Sequence, residues 1–319
     1  MTSLPRKFVS LLLTLLAVAF LTFMLTSLLP GNPAVALLGQ QAITAKAIVA
    51  VDAELGLNHP LPLRFALWLG HTLTGNLGYS FVTNSSVSSE LASRLPVTIE
   101  IILLAMVISL VLAIVGGIIS AQRAGRVLDH LLADTSFVLL AVPTFVMALL
   151  LILLFAVRSH VFPASGWVPL TQDPFQNLRY AFLPSLALAL PQVPVFMRLL
   201  RADMITVLNE DFIALARSKG ISPARVLLGH AFRLSSFSLV TVAGLQVGFL
   251  LGGTVIVENI FALPGIGSLL VQSIYSRDLA TVQGVTLFIA AAFVVVNFCV
   301  DLIYTVIDPR IRRVSAQPV

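Results

Sequence analysis

Apolar residues fall into long runs along the chain, and polar, Gly- and Pro-containing joints separate them. The runs are residues 8–29, 97–120, 131–157, 181–200, 234–257 and 281–307. About 20 apolar residues carry a helix across a bilayer core, and each run reaches that length. The pattern predicts an all-α membrane protein with six transmembrane helices. The first run is too long for a signal-peptide core, and no small-residue cleavage site follows it, so it reads as a mature span.

The polar joints predict elements of their own. The first loop, residues 30–96, is long. Within it "TAKAIVAVDAELG" reads as a helix with Thr44 as N-cap and Gly56 just past its end. "PLRFALWLGHTLTG" reads as a second helix, with Pro62 in its first turn and apolar residues at helical spacing. An external cap, a docking surface and a plain connector all fit this loop. The chain therefore divides into residues 1–96, the first span with its structured loop, and residues 97–319, a five-span core containing a polar segment at 201–233.

That segment carries paired helix signals. Asn209 is a candidate N-cap, with Glu210 and Asp211 in the first turn, where the helix dipole favours anions. Arg217 and Lys219 lie in the last turn, and Gly220 suits a left-handed C-cap. Ser222 and Pro223 then open a second helix as N-cap and first residue, which runs into the fifth span. Phe212, Leu215 and Ala216 give the first helix an apolar side. Two readings stay open for the residues alone: a docking element for another protein, or an interfacial helix on anionic lipid.

Composition agrees with the span pattern. The chain of 319 residues is 58% hydrophobic and 10% charged, against about 25% charged in soluble domains. Its isoelectric point is near 9.9. In a membrane protein such basic residues mark cytoplasmic loops rather than nucleic-acid contact. Thirteen of the nineteen Lys and Arg residues fall in one set of joints, including Arg123, Arg126, Arg217 and Lys219. The bias puts both termini and the 201–233 segment in the cytoplasm. The single cysteine, Cys299, excludes an intramolecular disulfide.

Candidate chemistry inside the spans is sparse. Pro184, Pro191 and Pro194 interrupt the fourth run and free backbone carbonyls, which protein or a water-filled cavity must satisfy. Pro191, Gln192 and Pro194 are therefore candidates to line a path. Gly244, Gly248 and Gly252 recur every four residues in the fifth run, a small-residue stripe for helix packing within the chain or against a partner. Gln246 lies elsewhere on that helix, and Thr254, Glu258 and Asn259 bring polar groups to its outer end. Gln246 and Glu258 join the path candidates. "LPGIG" reads as a sharp turn, and a re-entrant gate is the alternative. Among the acids, Glu100 and Asp134 lie at span ends, while Asp301 is deeper and has Arg198 or Arg201 as possible partners.

Two function classes are opposed by the residues. An intramembrane hydrolase would need a motif such as H-E-x-x-H or G-x-S-x-G, and the sequence has neither. The five histidines lack metal-ligand spacing. No lysine follows Gly in a phosphate-binding loop, so ATP hydrolysis would have to come from another chain. A self-contained ion- or proton-coupled carrier remains the alternative, although it does not require the capped cytoplasmic hairpin.

"ALARSKG", with nine residues between its Gly220 and the His230 of "HAFR", resembles the EAA loop of ABC-importer permeases. Ala214 stands for the usual acid, Leu215 for the first Ala, His230 for the Ile and Arg233 for the Pro. These departures are similar to the peptide/nickel branch. "LLPGNPA", "GNLGYSF", "LPVTIE", "VENIFALPGIGSLL", "RDLATVQG" and "DPRIR" agree with that branch in order over nearly the whole chain. The resemblance is to the B-type permease subunit of a dipeptide, oligopeptide or nickel importer. It implies a type I importer fold in the bacterial inner membrane, with Ala214, Leu215, Ala216, Arg217, Lys219 and Gly220 in a coupling helix seated on a cytoplasmic ATPase. It also implies a C-type permease partner, two ATPase subunits that bind ATP and Mg, and an external substrate-binding protein. No catalytic or metal-binding residue and no cofactor is expected in this chain. Peptides, nickel chelates, glutathione and haem all fit as cargo.

Overall fold

A computed structural model describes residues 4–27, 59–80 and 82–307. The helix expected at residues 44–56 lies outside them. The described chain is almost entirely helical. Helix α1 (Leu4–Ser27) comes first, then α2 (Leu61–Leu73). A two-stranded antiparallel ladder follows, β1 (Tyr79–Ser80) with β2 (Ser85–Ser86). The second expected loop helix is thus present. It packs on the C-terminal half of α1 through aromatic rings, with Phe65 5.4 Å from Phe20 and 5.5 Å from Phe23.

Helix α3 (Val87–Gln122) is the centre of the fold. It begins earlier than the apolar run does, capped by the Ser86 hydroxyl, and passes through Pro96. Ile101, Ala105, Ser109 and Ala113 are fully buried. Ile99, Leu103, Val107, Val111 and Val115 form an exposed apolar stripe on the opposite side, one residue per helical turn. The buried side joins the main core with Leu183, Phe196, Leu200 and Leu250.

The third expected span is not one helix. Helix α4 (Val127–Ala141) and helix α5 (Thr144–Arg158) meet at 103°. Pro143 has no N–H to continue the ladder, and it holds Val142 in an extended conformation (φ −83°, ψ 119°). Hydropathy runs unbroken across this joint, so only the proline marked it. The fourth span is also broken, as its prolines predict. Helix α6 (Pro174–Ala189) and helix α7 (Val193–Leu208) meet at 57°.

Helix α8 (Asp211–Ser218) and helix α9 (Pro223–Ile260) form a helical hairpin over the polar segment, and α9 continues through the fifth apolar run. The first part of α9 has a π-helical stretch, Val226–Phe232. Helix α10 (Ile266–Tyr275) and helix α11 (Leu279–Ile307) complete the chain. Among the described residues, three helices are long and apolar enough to cross a membrane, or up to five candidates if each bent pair is one span.

Candidate coupling and transport site

The hairpin is shaped by its backbone. At the end of α8, the Ile221 N–H donates to the Ala216 carbonyl at 3.2 Å and the Gly220 N–H donates to the Arg217 carbonyl at 3.0 Å. This is the Schellman pair of bonds, and it puts Gly220 at φ +75°. Ile221 packs against Ile213, Ala216 and Val226, the hydrophobic contact that accompanies the motif. The start of α8 lies one residue later than expected. Glu210 occupies the N-cap position without a side-chain bond, while Asn209 closes α7.

These contacts sort the six residues of the resemblance. Ala216 faces inward at 7% exposure, beside the fully buried Ile213. Ala214, Leu215, Arg217, Lys219 and Gly220 are exposed. Phe212 and Leu215 are 43% and 55% exposed, so the outward face is apolar at its centre and basic towards its C-terminal end.

Two path candidates are brought together at the α6–α7 break. The Gln246 Nε2 donates to the Gln192 side-chain Oε1 at 2.7 Å. Pro191 flanks Gln192 at the break, and Pro194 is buried at the second position of α7. The glycine stripe divides. A Cβ on Gly244 would lie 2.5 Å from Val300, and one on Gly248 would lie 2.9 Å from the Phe293 ring, so both permit close approach of α11. Gly252 has open space beside it.

Glu258 is fully buried. Its carboxylate accepts from the Thr98 hydroxyl at 2.6 Å and from the Ser268 N–H at 3.0 Å. Thr98 in turn accepts from the Ile266 N–H at 2.9 Å. Ile266 and Ser268 are in the first turn of α10, so Thr98 and Glu258 satisfy donors that no helical carbonyl reaches. An anion there also suits the positive end of the helix dipole. The turn at "LPGIG" exists, but α10 after it was not expected. The spacing of Ile266, Leu269, Leu270 and Ser273 was its signal.

At the other end of the molecule, Arg201 pairs with Asp129 at 2.7 Å, and Arg198 lies over the Phe137 ring at 5.3 Å. The Asp301 side chain, for which the sequence offered Arg198 or Arg201, lies outside the described residues. Sequence reasoning passed over Asp129 because its partner is 72 positions away. Among the described residues no cluster of three His, Cys, Asp or Glu could hold a metal ion.

Residues 113–313 match the family described as the inner membrane component of binding-protein-dependent transport systems, and residues 1–102 match its N-terminal membrane component. The chain belongs to this permease family. The permease is therefore a multi-pass protein of the inner membrane. It is 41% identical over 298 residues to a Brucella abortus protein provisionally named as a peptide transport system permease, covering 93% of the permease and 95% of that relative. It is also 34% identical over 328 residues to the di/tripeptide transport system permease protein DppB of Pseudomonas aeruginosa, covering 97% and 98% of the two chains.

Proposed function

We propose that the permease forms half of the membrane path of an ATP-driven peptide importer, and that α8 couples this path to cytoplasmic ATPase subunits. The relatives' names support the peptide class. One observation carries the coupling role: a short helix folded on Ile213 and Ala216 leaves Phe212 and Leu215 exposed beside Arg217 and Lys219. A backbone-shaped hairpin with an apolar, basic-rimmed face suits a protein groove. In this reading the permease crosses the membrane six times with both termini in the cytoplasm. It pairs with a C-type permease, two ATPases that hold ATP and Mg, and an external receptor that delivers di- or oligopeptides. Gln192 and Gln246 face the path at the break flanked by Pro191 and Pro194, where amides can exchange their mutual bond for bonds to a peptide main chain. Glu258 closes the outer end.

The test is uptake by proteoliposomes that contain the assembled complex. Peptide accumulation should require the receptor and internal ATP. Accumulation driven by a proton or sodium gradient without ATP would establish the self-contained carrier instead. Tags near Arg126 and Lys219 should report cytoplasm, and tags near Gly75 and Asp173 should report the outside.

A further inference from the structure

Helix α7 lies against α3 with no room to spare down to Leu200. A Cβ on Gly116 would fall 2.6 Å from the Met197 sulfur, and one on Gly117 would fall 3.1 Å from Leu200 and 3.2 Å from the Met197 carbonyl. The next residue, Arg201, donates from Nε and Nη2 to the two oxygens of Asp129, each at 2.7 Å. The same carboxylate accepts from the Ser120 hydroxyl and, at 2.8 Å, from the Gly125 N–H. One buried side chain, 4% exposed, thus ties together the end of α3, the turn at Gly125, the first turn of α4 and the middle of α7. Its four donors fill the acceptor capacity of a carboxylate.

Past this point the two helices part. A cavity of about 460 Å³ has Gln122 and Ala124 on one wall, Ile205 and Leu208 on the other, and Arg217 and Ile221 contributed by the hairpin. Leu208 is seven residues beyond Arg201, about 10 Å along a helix. The arm that ends in α8 is therefore clamped above Arg201 and has open space beside it below.

Asp129 is buried but the Arg201 side chain is 35% exposed, and an ion pair open to water on one side adds little to stability. What a bidentate Arg–carboxylate pair adds is fixed orientation. We propose that Asp129 and Arg201 are the fulcrum of the coupling arm, a positioning pair that makes a push on α8 move α7 as one body instead of folding the hairpin into the cavity. This rests on the coupling role of α8 proposed above.

The experiment uses the complete transporter in proteoliposomes and reads ATP hydrolysed per peptide imported. Asp129→Asn keeps the shape and an acceptor while removing the charge. Arg201→Lys keeps the charge but loses the fork. In Asp129→Asn, ATPase association and receptor-independent hydrolysis should stay at wild-type levels. ATP used per peptide should rise at least about fivefold, the lower end of ordinary coupling factors. Arg201→Lys should fall between the two, and it carries the test if Asp129→Asn does not assemble. A wild-type ratio in both variants overturns the proposal. So does a parallel loss of hydrolysis and uptake at constant ratio, which is the signature of a merely structural pair. Leu215→Asp separates the two claims. If it uncouples transport while the fulcrum variants do not, the fulcrum alone fails. If it leaves ATPase binding and stimulation unchanged, the coupling role of α8 fails.

Discussion

The α8–α9 hairpin and the α9–α10 joint are both tight helix connections, one at each end of α9, and they are held by different means. The hairpin is closed by main-chain bonds at Gly220 and Ile221 and by four small or branched apolar side chains. Its charged side chains form no ion pair among the described residues, and Phe212 and Leu215 point outward. The α9–α10 joint buries its chemistry: Glu258 and Thr98 each serve the first turn of α10, and glycines let the backbone crowd them. A carboxylate spent on its own fold is not on offer to a partner. An apolar face left over after the backbone has shaped the turn is on offer. The contrast supports the proposal that the α8–α9 hairpin meets a partner and that the α9–α10 joint serves closure.

Overfilling the α9–α10 joint should do the most damage. A Cβ on Gly267 would lie 2.9 Å from the Val255 nitrogen and nearer still to its Cα. Main chain cannot swing aside as the tip of a side chain can, so Gly267→Val should destabilise the complex by about 3 kcal/mol, read from thermal unfolding in detergent. A shift near zero would show that α10 is loosely docked and would remove half of the contrast. Next comes the glycine stripe that links the two joints. Gly248→Leu must displace the Phe293 ring and should cost about 2 kcal/mol, whereas Gly252→Leu should stay within about 0.5 kcal/mol. Equal effects at the two positions would mean that α11 does not pack as described. At the hairpin the expected loss is smaller. Gly220→Val forces a branched residue to φ +75°, at a cost of about 1–2 kcal/mol, and should impair coupling more than assembly.

Local signals were legible in the sequence. Gly220 and the Ser222–Pro223 pair named the hairpin because caps are decided within a few residues. Pro191 and Pro194 announced the break between α6 and α7. Pro143 carried the same message, but unbroken hydropathy on both sides hid it, and a 103° bend read as a straight span. The polar pairings were not legible, because they join distant residues. Thr98 meets Glu258 across 160 positions, and Asp129 meets Arg201 across 72. Glu258 looked like a path residue because an acid near a span end has no visible partner until the helices are packed. Ala216 belonged to the matched loop motif, yet the fold uses it inward, against Val226.

A change in stability as small as that expected at Gly252 carries the central claim. Leu215 is 55% exposed, so Leu215→Asp should alter folding by no more than about 0.5 kcal/mol. A charge placed at the centre of the apolar face should nevertheless exclude it from a protein groove. The direct measurement is co-purification of the ATPase subunits with the Leu215→Asp permease, together with receptor-stimulated ATP hydrolysis. The predicted result is a folded, membrane-inserted permease that has lost both. A variant that holds its ATPase and responds to the receptor as the wild type does would contradict the assignment of α8 as the coupling element.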